Sequence, residues 1–282
     1  MGYEFATIYK SLSYSDGQEH LQLQHRMALV NMWAPCTGGR VLEIGCGQGE
    51  TTVALAAALG ADGHVLAVDK APAEYGRPVT LGEAHAYIKA SALGERITFL
   101  LSTDVLAPQL DFPRNAFDLV VLAHSSWYMS SPQELCRLFT RVRPWARRFG
   151  YAEWDVRPRH MQQLPHCLAV VLQAYMHRIA PKISTANARC LILPEHACAL
   201  AEHAGWTILE TRRVDTSTPL GFGKAWEIYK ALEMAEHLLA SDEVLLSEDV
   251  HQLLSAAHQM LRQVTYETHH PISLSTYAFL AE

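Results

Sequence analysis

The stretch VLEIGCGQGETT, residues 41 to 52, limits the folds open to this chain more than any other. An apolar run reaches an acid, Glu43, and then Gly45, Gly47 and Gly49 alternate with small residues. Such a run reads as a buried strand entering a loop whose backbone comes close to a ligand. The segment ETTVALAAALG that follows is rich in helix formers and closed by Gly60, which predicts a helix. Strand, glycine loop and helix in that order open a parallel α/β sheet.

The same alternation continues. HVLAVD (64–69), RITFLLSTD (96–104), AFDLVVLAHS (116–125), RRFGYAEWDV (147–156), TILETRRVD (207–215) and ISLSTYAFLAE (272–282) each read as a strand. Helices are expected between them. In SPQELCRLFTRVRP, Ser131 is the predicted N-cap, Pro132 the first helical residue and Pro144 the stop. The expected fold class is α/β: a seven-stranded, mostly parallel sheet with helices on both faces, a helical N-terminal segment, and helical inserts forming a lid. The divisions are 1–39 for that segment, 40–156 for the ligand-binding core and 157–193 for a mostly helical insert. Residues 194–282 hold the rest of the core, with a second helical insert at about 220–268.

With 282 residues, 49% of them hydrophobic and 18% charged, a full-sized core is available to one large domain. The net charge of -6 argues against a nucleic-acid partner. Arg137, Arg141, Arg143, Arg147 and Arg148 read as a solvated helix end. Six cysteines without a CxxC pair suggest reduced thiols, and their spacing does not indicate zinc. The start MGYEFATIYK has neither a charged leader nor an apolar core, and Ala6 departs from the myristoylation pattern. No membrane span is expected, and the expected location is cytoplasmic.

The glycine loop discriminates between ligands. A triphosphate loop needs a Lys after its last glycine, whereas Gly49 leads into Glu50. A dinucleotide loop needs a third glycine where Glu50 stands, and that carboxylate would face a pyrophosphate. The pattern Glu43-Ile44-Gly45-Cys46-Gly47-Gln48-Gly49 instead resembles the first motif of class I S-adenosylmethionine-dependent methyltransferases of the small-molecule type. Here an acid beside the loop suits a sulfonium cation better than a diphosphate.

The resemblance implies S-adenosylmethionine as cofactor and assigns residues in turn. Glu43, Gly45, Cys46, Gly47 and Gly49 form the loop. Asp69, followed by Lys70, is the ribose acid, expected to accept two charge-assisted hydrogen bonds. Asp104 and the Val105 amide are placed by the adenine, at the end of the third strand. Ala123 and His124 line the donor at the end of the fourth, whose Asp118 is structural. The resemblance covers roughly 40–155. Two departures stand out: the turn RPWARRFG before the fifth strand, and the helices between the last two strands.

Methyl transfer is an in-line displacement helped by proximity and exclusion of water. His124 is a candidate base at the rim, or a hydrogen-bond partner of donor or loop. Tyr14 in the N-terminal segment is a second catalytic candidate. Trp127, Tyr128 and His20 are candidate substrate contacts, with His25 a weaker one, while Glu153 and Asp155 either bind a polar acceptor or cap the next helix. The remaining histidines lack metal-ligand spacing, so no metal is expected. The expected function is methylation of a small-molecule, specialised-metabolite acceptor. The alternatives are a donor-binding protein that cyclises or rearranges its substrate, and a non-catalytic binding protein. A homodimer is compatible with this reading.

Overall fold

The computed structural model describes residues 19–77, 79–214, 224–241 and 246–282. Seven strands form one sheet: β1 (Arg40–Ile44), β2 (His64–Val68), β3 (Ile97–Leu100), β4 (Phe117–Ala123), β5 (Ala146–Trp154), β6 (Ile208–Val214) and β7 (Thr276–Ala281). Their order is β3-β2-β1-β4-β5-β7-β6. β1 to β5 run parallel, and β7 lies antiparallel between β5 and β6. The sheet is therefore seven-stranded and mostly parallel. The helices between the last two strands do not disturb their pairing.

Eight helices occupy the described residues: α1 (Glu19–Trp33), α2 (Glu50–Leu59), α3 (Leu81–Lys89), α4 (Pro132–Val142), α5 (Leu164–Ile179), α6 (Pro194–His203), α7 (Lys224–Ala240) and α8 (Glu248–Glu267). The central strands are buried along nearly their whole length, as a parallel sheet covered on both faces requires. One core joins Leu29, Val30 and Trp33 of α1 with α2 and α3. The opposite core joins Leu135, Leu138 and Phe139 of α4 with Ala197 and Ala201 of α6. A third apolar cluster holds α5, α7 and α8 together as a helical cap. Trp127, Trp154, Val170, Ala188 and Leu274 link that cap to the strand ends.

Local chemistry sets several boundaries. Ser131 accepts the Glu134 N–H at 3.2 Å, and Pro132 opens α4. Thr80 and Glu83 form a reciprocal capping box on α3. Three boundaries depart from the sequence expectation. β3 stops at Leu100 because Ser102 turns to a φ of 51°, so Asp104 lies four residues beyond the strand. Residues 180–193 leave the helix, with Pro181 and Pro194 bracketing an irregular path. There the Ala188 N–H goes to Gln173, and the Arg189 and Cys190 N–H groups go to the Trp127 carbonyl. β7 begins at Thr276, because Ile272 and Leu274 donate to Gln162 and His166 rather than to a strand.

α1 is anchored by Trp33, which is fully buried and donates its indole N–H to the Phe279 carbonyl at 3.2 Å. Gly150 makes room for it, since a Cβ there would sit 2.8 Å from the indole ring. Trp33→Ala is expected to lower stability by about 3–5 kcal/mol, read from urea unfolding at unchanged denaturant slope. A change within about 0.5 kcal/mol would show that α1 does not depend on this contact.

Candidate functional site

The strand order reverses between β1 and β4, and ligands of open α/β sheets bind outside the strand ends at such a switch point. Here the two loops nearly touch. Gly45 has a φ of 71°, and a Cβ on it would lie 2.5 Å from the Ser125 Cβ. Ser125 in turn donates to the Ile44 carbonyl at 3.2 Å. Gly49, at a φ of 95°, would drive a Cβ to 2.5 Å from Ile88 Cδ1. Gly47 also has a positive φ, but a Cβ there would meet nothing within 4 Å. Gly45 and Gly49 thus permit close packing, while Gly47 faces open space.

Asp69, the residue after β2, holds this loop. Its Oδ2 accepts the Gly47 N–H and its Oδ1 the Ala71 N–H, each at 2.8 Å. From the other side His85 of α3 meets the Gly47 carbonyl at 2.7 Å and stacks on Phe99 at 3.7 Å between centroids. Gln48 donates to the Val79 carbonyl at 2.7 Å. α2 begins directly after Gly49 with no side-chain cap, leaving its first N–H groups toward the loop. These features fit a nucleoside whose ribose hydroxyls approach a carboxylate and whose amino-acid end approaches loop N–H groups.

Glu43 lies beneath the loop, 2% exposed, and accepts the Thr52 hydroxyl at 2.5 Å. Burial pushes its carboxyl up to about 8, against the opposing hydrogen bond from Thr52. It therefore braces the loop from below. Cys46 is also buried, and burial raises its thiol well above the ordinary range. Lys70 pairs with Asp104 at 2.9 Å. Partial burial raises the Asp104 carboxyl, but the Lys70 and Leu106 hydrogen bonds outweigh it and hold the acid low. Val105, next to Asp104, is buried, as is Ala123 at the end of β4, and Asp118 accepts the Arg40 N–H at the far end of the sheet.

His124 ends β4 with a φ of 52°, a conformation that costs an L-residue about 1–2 kcal/mol. Its N–H is held by the Ala152 carbonyl, and its ring turns inward rather than standing at the rim. Nε2 lies 2.9 Å from Nε2 of His25 on α1, and Nδ1 lies 3.5 Å from Oε1 of Glu153. Glu153, 1% exposed, accepts the Ser126 hydroxyl at 2.8 Å and the N–H groups of Ser126, Trp127 and Trp154. Ser126 continues to Tyr151 at 2.7 Å, and Tyr151 to Tyr277 at 3.2 Å. A buried polar chain thus runs from α1 across three strands. Burial raises Glu153 to about 7. It drives His25 and His124 well below the imidazole value, with Arg26 adding to both and the His124 ring adding to the fall of His25.

Trp127 is turned into the linking cluster, whereas Tyr128 is 42% exposed beside it. Tyr14 lies outside the described residues, and only the backbone of His20 is described, within α1. Asp155 is buried and pairs with Arg157 and Arg213. His85, Ser125, Ser126 and Arg26 escaped sequence reasoning. Arg26 is 5% exposed and 4.0 Å from Glu50. Only the position of His85 on a helix facing the loop could have signalled its role.

Residues 41–150 match the family model described as a methyltransferase domain. A cyclopropane-fatty-acyl-phospholipid synthase-like protein from Lactobacillus casei ATCC 334 is 31% identical, with a TM-score of 0.82 over 100% of this chain and 99% of that one. Methyltransferase phomM of Diaporthe leptostromiformis is 40% identical over 49% of this chain. Aklanonic acid methyltransferase DauC of Streptomyces sp. strain C5 is 36% identical over 34%. The chain spans 40% of the length of each of these two curated relatives. It belongs to the class I S-adenosylmethionine-dependent methyltransferases.

Two neutral buried imidazoles set a pH dependence. Below the free value of 6.5 the unfolded chain takes up protons on His25 and His124 and the folded chain does not. Their contribution is therefore complete above about 6.5 and falls as the pH drops, by about 1.4 kcal/mol per pH unit for each proton. Glu43 and Glu153 act in the opposite sense, their contribution falling as the pH rises from 4.5 toward 7–8. His25→Gln removes one imidazole. Between about pH 6 and about pH 5 the change in urea-unfolding stability on acidification is expected to be more favourable in the variant than in the parent, by about one proton's worth. An identical slope would show that His25 titrates freely.

Proposed function

We propose that this chain transfers the methyl group of S-adenosylmethionine to a small-molecule, specialised-metabolite acceptor enclosed between the strand ends and the cap of α5, α7 and α8. The observation that carries this reading is the Gly47–Asp69 hydrogen bond at the β1/β4 switch point, with open space above Gly47. The bound donor supplies an electrophilic methyl on a sulfonium. The chain's own residues do the rest. Asp69 meets the ribose hydroxyls, Asp104 and Val105 flank the base, and Gly45 to Gly49 approach the amino-acid end. Ala123 and His124 close the floor.

The helical cap supports a closed acceptor chamber that excludes water from the reacting centre. One relative carries aklanonic acid in its name, which supports a small-molecule acceptor. For acceptors that must lose a proton, the proposed base is His124, whose ring is set between Glu153 at 3.5 Å and His25 at 2.9 Å.

Incubation of the protein with donor and a panel of small-molecule acceptors, aklanonic acid among them, read by mass spectrometry, tests the activity. The expected result is S-adenosylhomocysteine together with an acceptor heavier by one methyl. Acceptor conversion without donor turnover would contradict transfer and favour cyclisation or rearrangement. Asp69→Ala is expected to weaken donor binding by about 1–3 kcal/mol, the cost of losing charge-assisted hydrogen bonds. Unchanged affinity would remove Asp69 from the ribose site.

A further inference from the structure

The hydrogen bonds around Glu153 have directions, and those directions leave one atom open. Glu153 accepts the N–H groups of Ser126, Trp127 and Trp154, and the Ser126 hydroxyl at 2.8 Å. A carboxyl that only accepts from its neighbours is held as the carboxylate. With its own proton given to Glu153, Ser126 Oγ accepts from Tyr151 at 2.7 Å, and Tyr151 accepts from Tyr277 at 3.2 Å. On the other side, Nδ1 of His124 lies 3.5 Å from Oε1 of Glu153. An N–H facing a carboxylate is attracted and a lone pair is repelled, so Nδ1 carries the His124 proton. Burial keeps both imidazoles neutral, and a neutral ring has one N–H. Nε2 of His124 is therefore a lone pair, and the 2.9 Å contact is a donation from Nε2–H of His25. That leaves Nδ1 of His25 as a lone pair, buried and without a hydrogen-bond partner among the described residues.

Contacts on two sides fix this ring at the glycine loop. Arg26, the next residue of α1, lies 4.0 Å from Glu50, the first residue of α2 after Gly49. His124, against which His25 rests, is followed by Ser125, which donates to the Ile44 carbonyl just before Gly45. Trp154 at the end of β5 stacks on the His25 ring, 5.9 Å between centroids and 4° between planes. His25, His124 and Glu153 thus form a directed path from α1 to β5, along which a proton passes by exchange of hydrogen-bond partners. Burial raises the Glu153 carboxyl to about 7 and pushes both rings below the ordinary imidazole value, so a proton entering the path comes to rest on Glu153. Rings that weak as bases match an acceptor whose own proton is acidic.

We infer that Nδ1 of His25 is where an acceptor's proton enters on its way to His124 and Glu153, and that the acceptor presents an acidic hydroxyl, of the phenol or enol class, to that atom. The inference rests on the small-molecule methyltransferase reading. The acceptor O–H bond breaks and its proton passes to Nδ1 of His25; Nε2–H of His25 passes to His124, and Nδ1–H of His124 to Glu153. The acceptor oxygen bonds the donor methyl as the methyl–sulfur bond breaks, its electron pair staying on sulfur.

Nitrogen NMR of the full chain, labelled in histidine and saturated with S-adenosylhomocysteine at neutral pH, reads the tautomers without any acceptor. The expected result is a His25 ring protonated on Nε2 and a His124 ring protonated on Nδ1, with His25→Gln and His124→Gln assigning the signals. A His25 ring protonated on Nδ1, or charged, would overturn the assignment. With a methylated acceptor from the panel, His25→Gln offers His124 an amide N–H but relays no proton. Its kcat should fall about 100-fold or more, at unchanged KM and unchanged S-adenosylhomocysteine affinity, which also reports folding. Added imidazole should restore part of the activity of His25→Ala, which a loss of packing alone would not allow. Unchanged kcat in His25→Gln, no rescue by imidazole, or methylation at a thioether or tertiary amine would contradict the inference. If S-adenosylhomocysteine does not bind or no acceptor is methylated, the methyltransferase reading fails first and this inference falls with it.

Discussion

The carboxylate of Asp69 ties the glycine loop after β1 to the end of β2 through two N–H groups, and much of the site depends on that tie. Without it a loop with positive φ at Gly45, Gly47 and Gly49 would have many conformations of similar energy. The tie has company on every side: His85 from α3, Glu43 and Thr52 from below, and Ser125 from the loop after β4. Each contact comes from a different element, so the loop's shape is a property of the assembled sheet. A preorganised loop meets its ligand without ordering cost at the moment of binding.

A second constraint is the buried polar chain His25–His124–Glu153–Ser126–Tyr151–Tyr277. Buried polar groups are costly when unpaired, so such a chain holds α1, β4, β5 and β7 in one arrangement. His124 has a left-handed backbone, and its ring meets His25 of α1. Backbone strain next to a binding cleft is consistent with a site in which geometry outranks local stability. The N-terminal helix therefore contributes polar contacts as well as the apolar anchor Trp33.

Much of the fold was legible in the sequence because it rests on local signals. Apolar runs at the strands, glycines after β1, Ser131 with Pro132, and Gly60 all act within a few residues of where they stand. That Gly45, Gly47 and Asp69 meet beyond the strand ends was legible for the same reason. What the sequence hid was produced by partners distant along the chain. His25 and His124 are 99 residues apart, and Gln173 and Glu227 are 54 apart. The expectation of a rim histidine missed that a single positive φ turns the ring inward. The insert at 157–193 read as mostly helical, and the path of 180–193 was hidden because its N–H groups go to the Gln173 and Trp127 oxygens.

The central claim is that the Asp69-braced glycine loop holds a nucleoside sulfonium and its demethylated product. Calorimetric titration of the full chain with S-adenosylmethionine and S-adenosylhomocysteine, with NADH as the control, tests it directly. The account predicts one-to-one binding of the first two in about the micromolar range, near 8 kcal/mol of free energy, and none of the third. Absence of binding by both nucleosides, or equal binding of NADH, would contradict it.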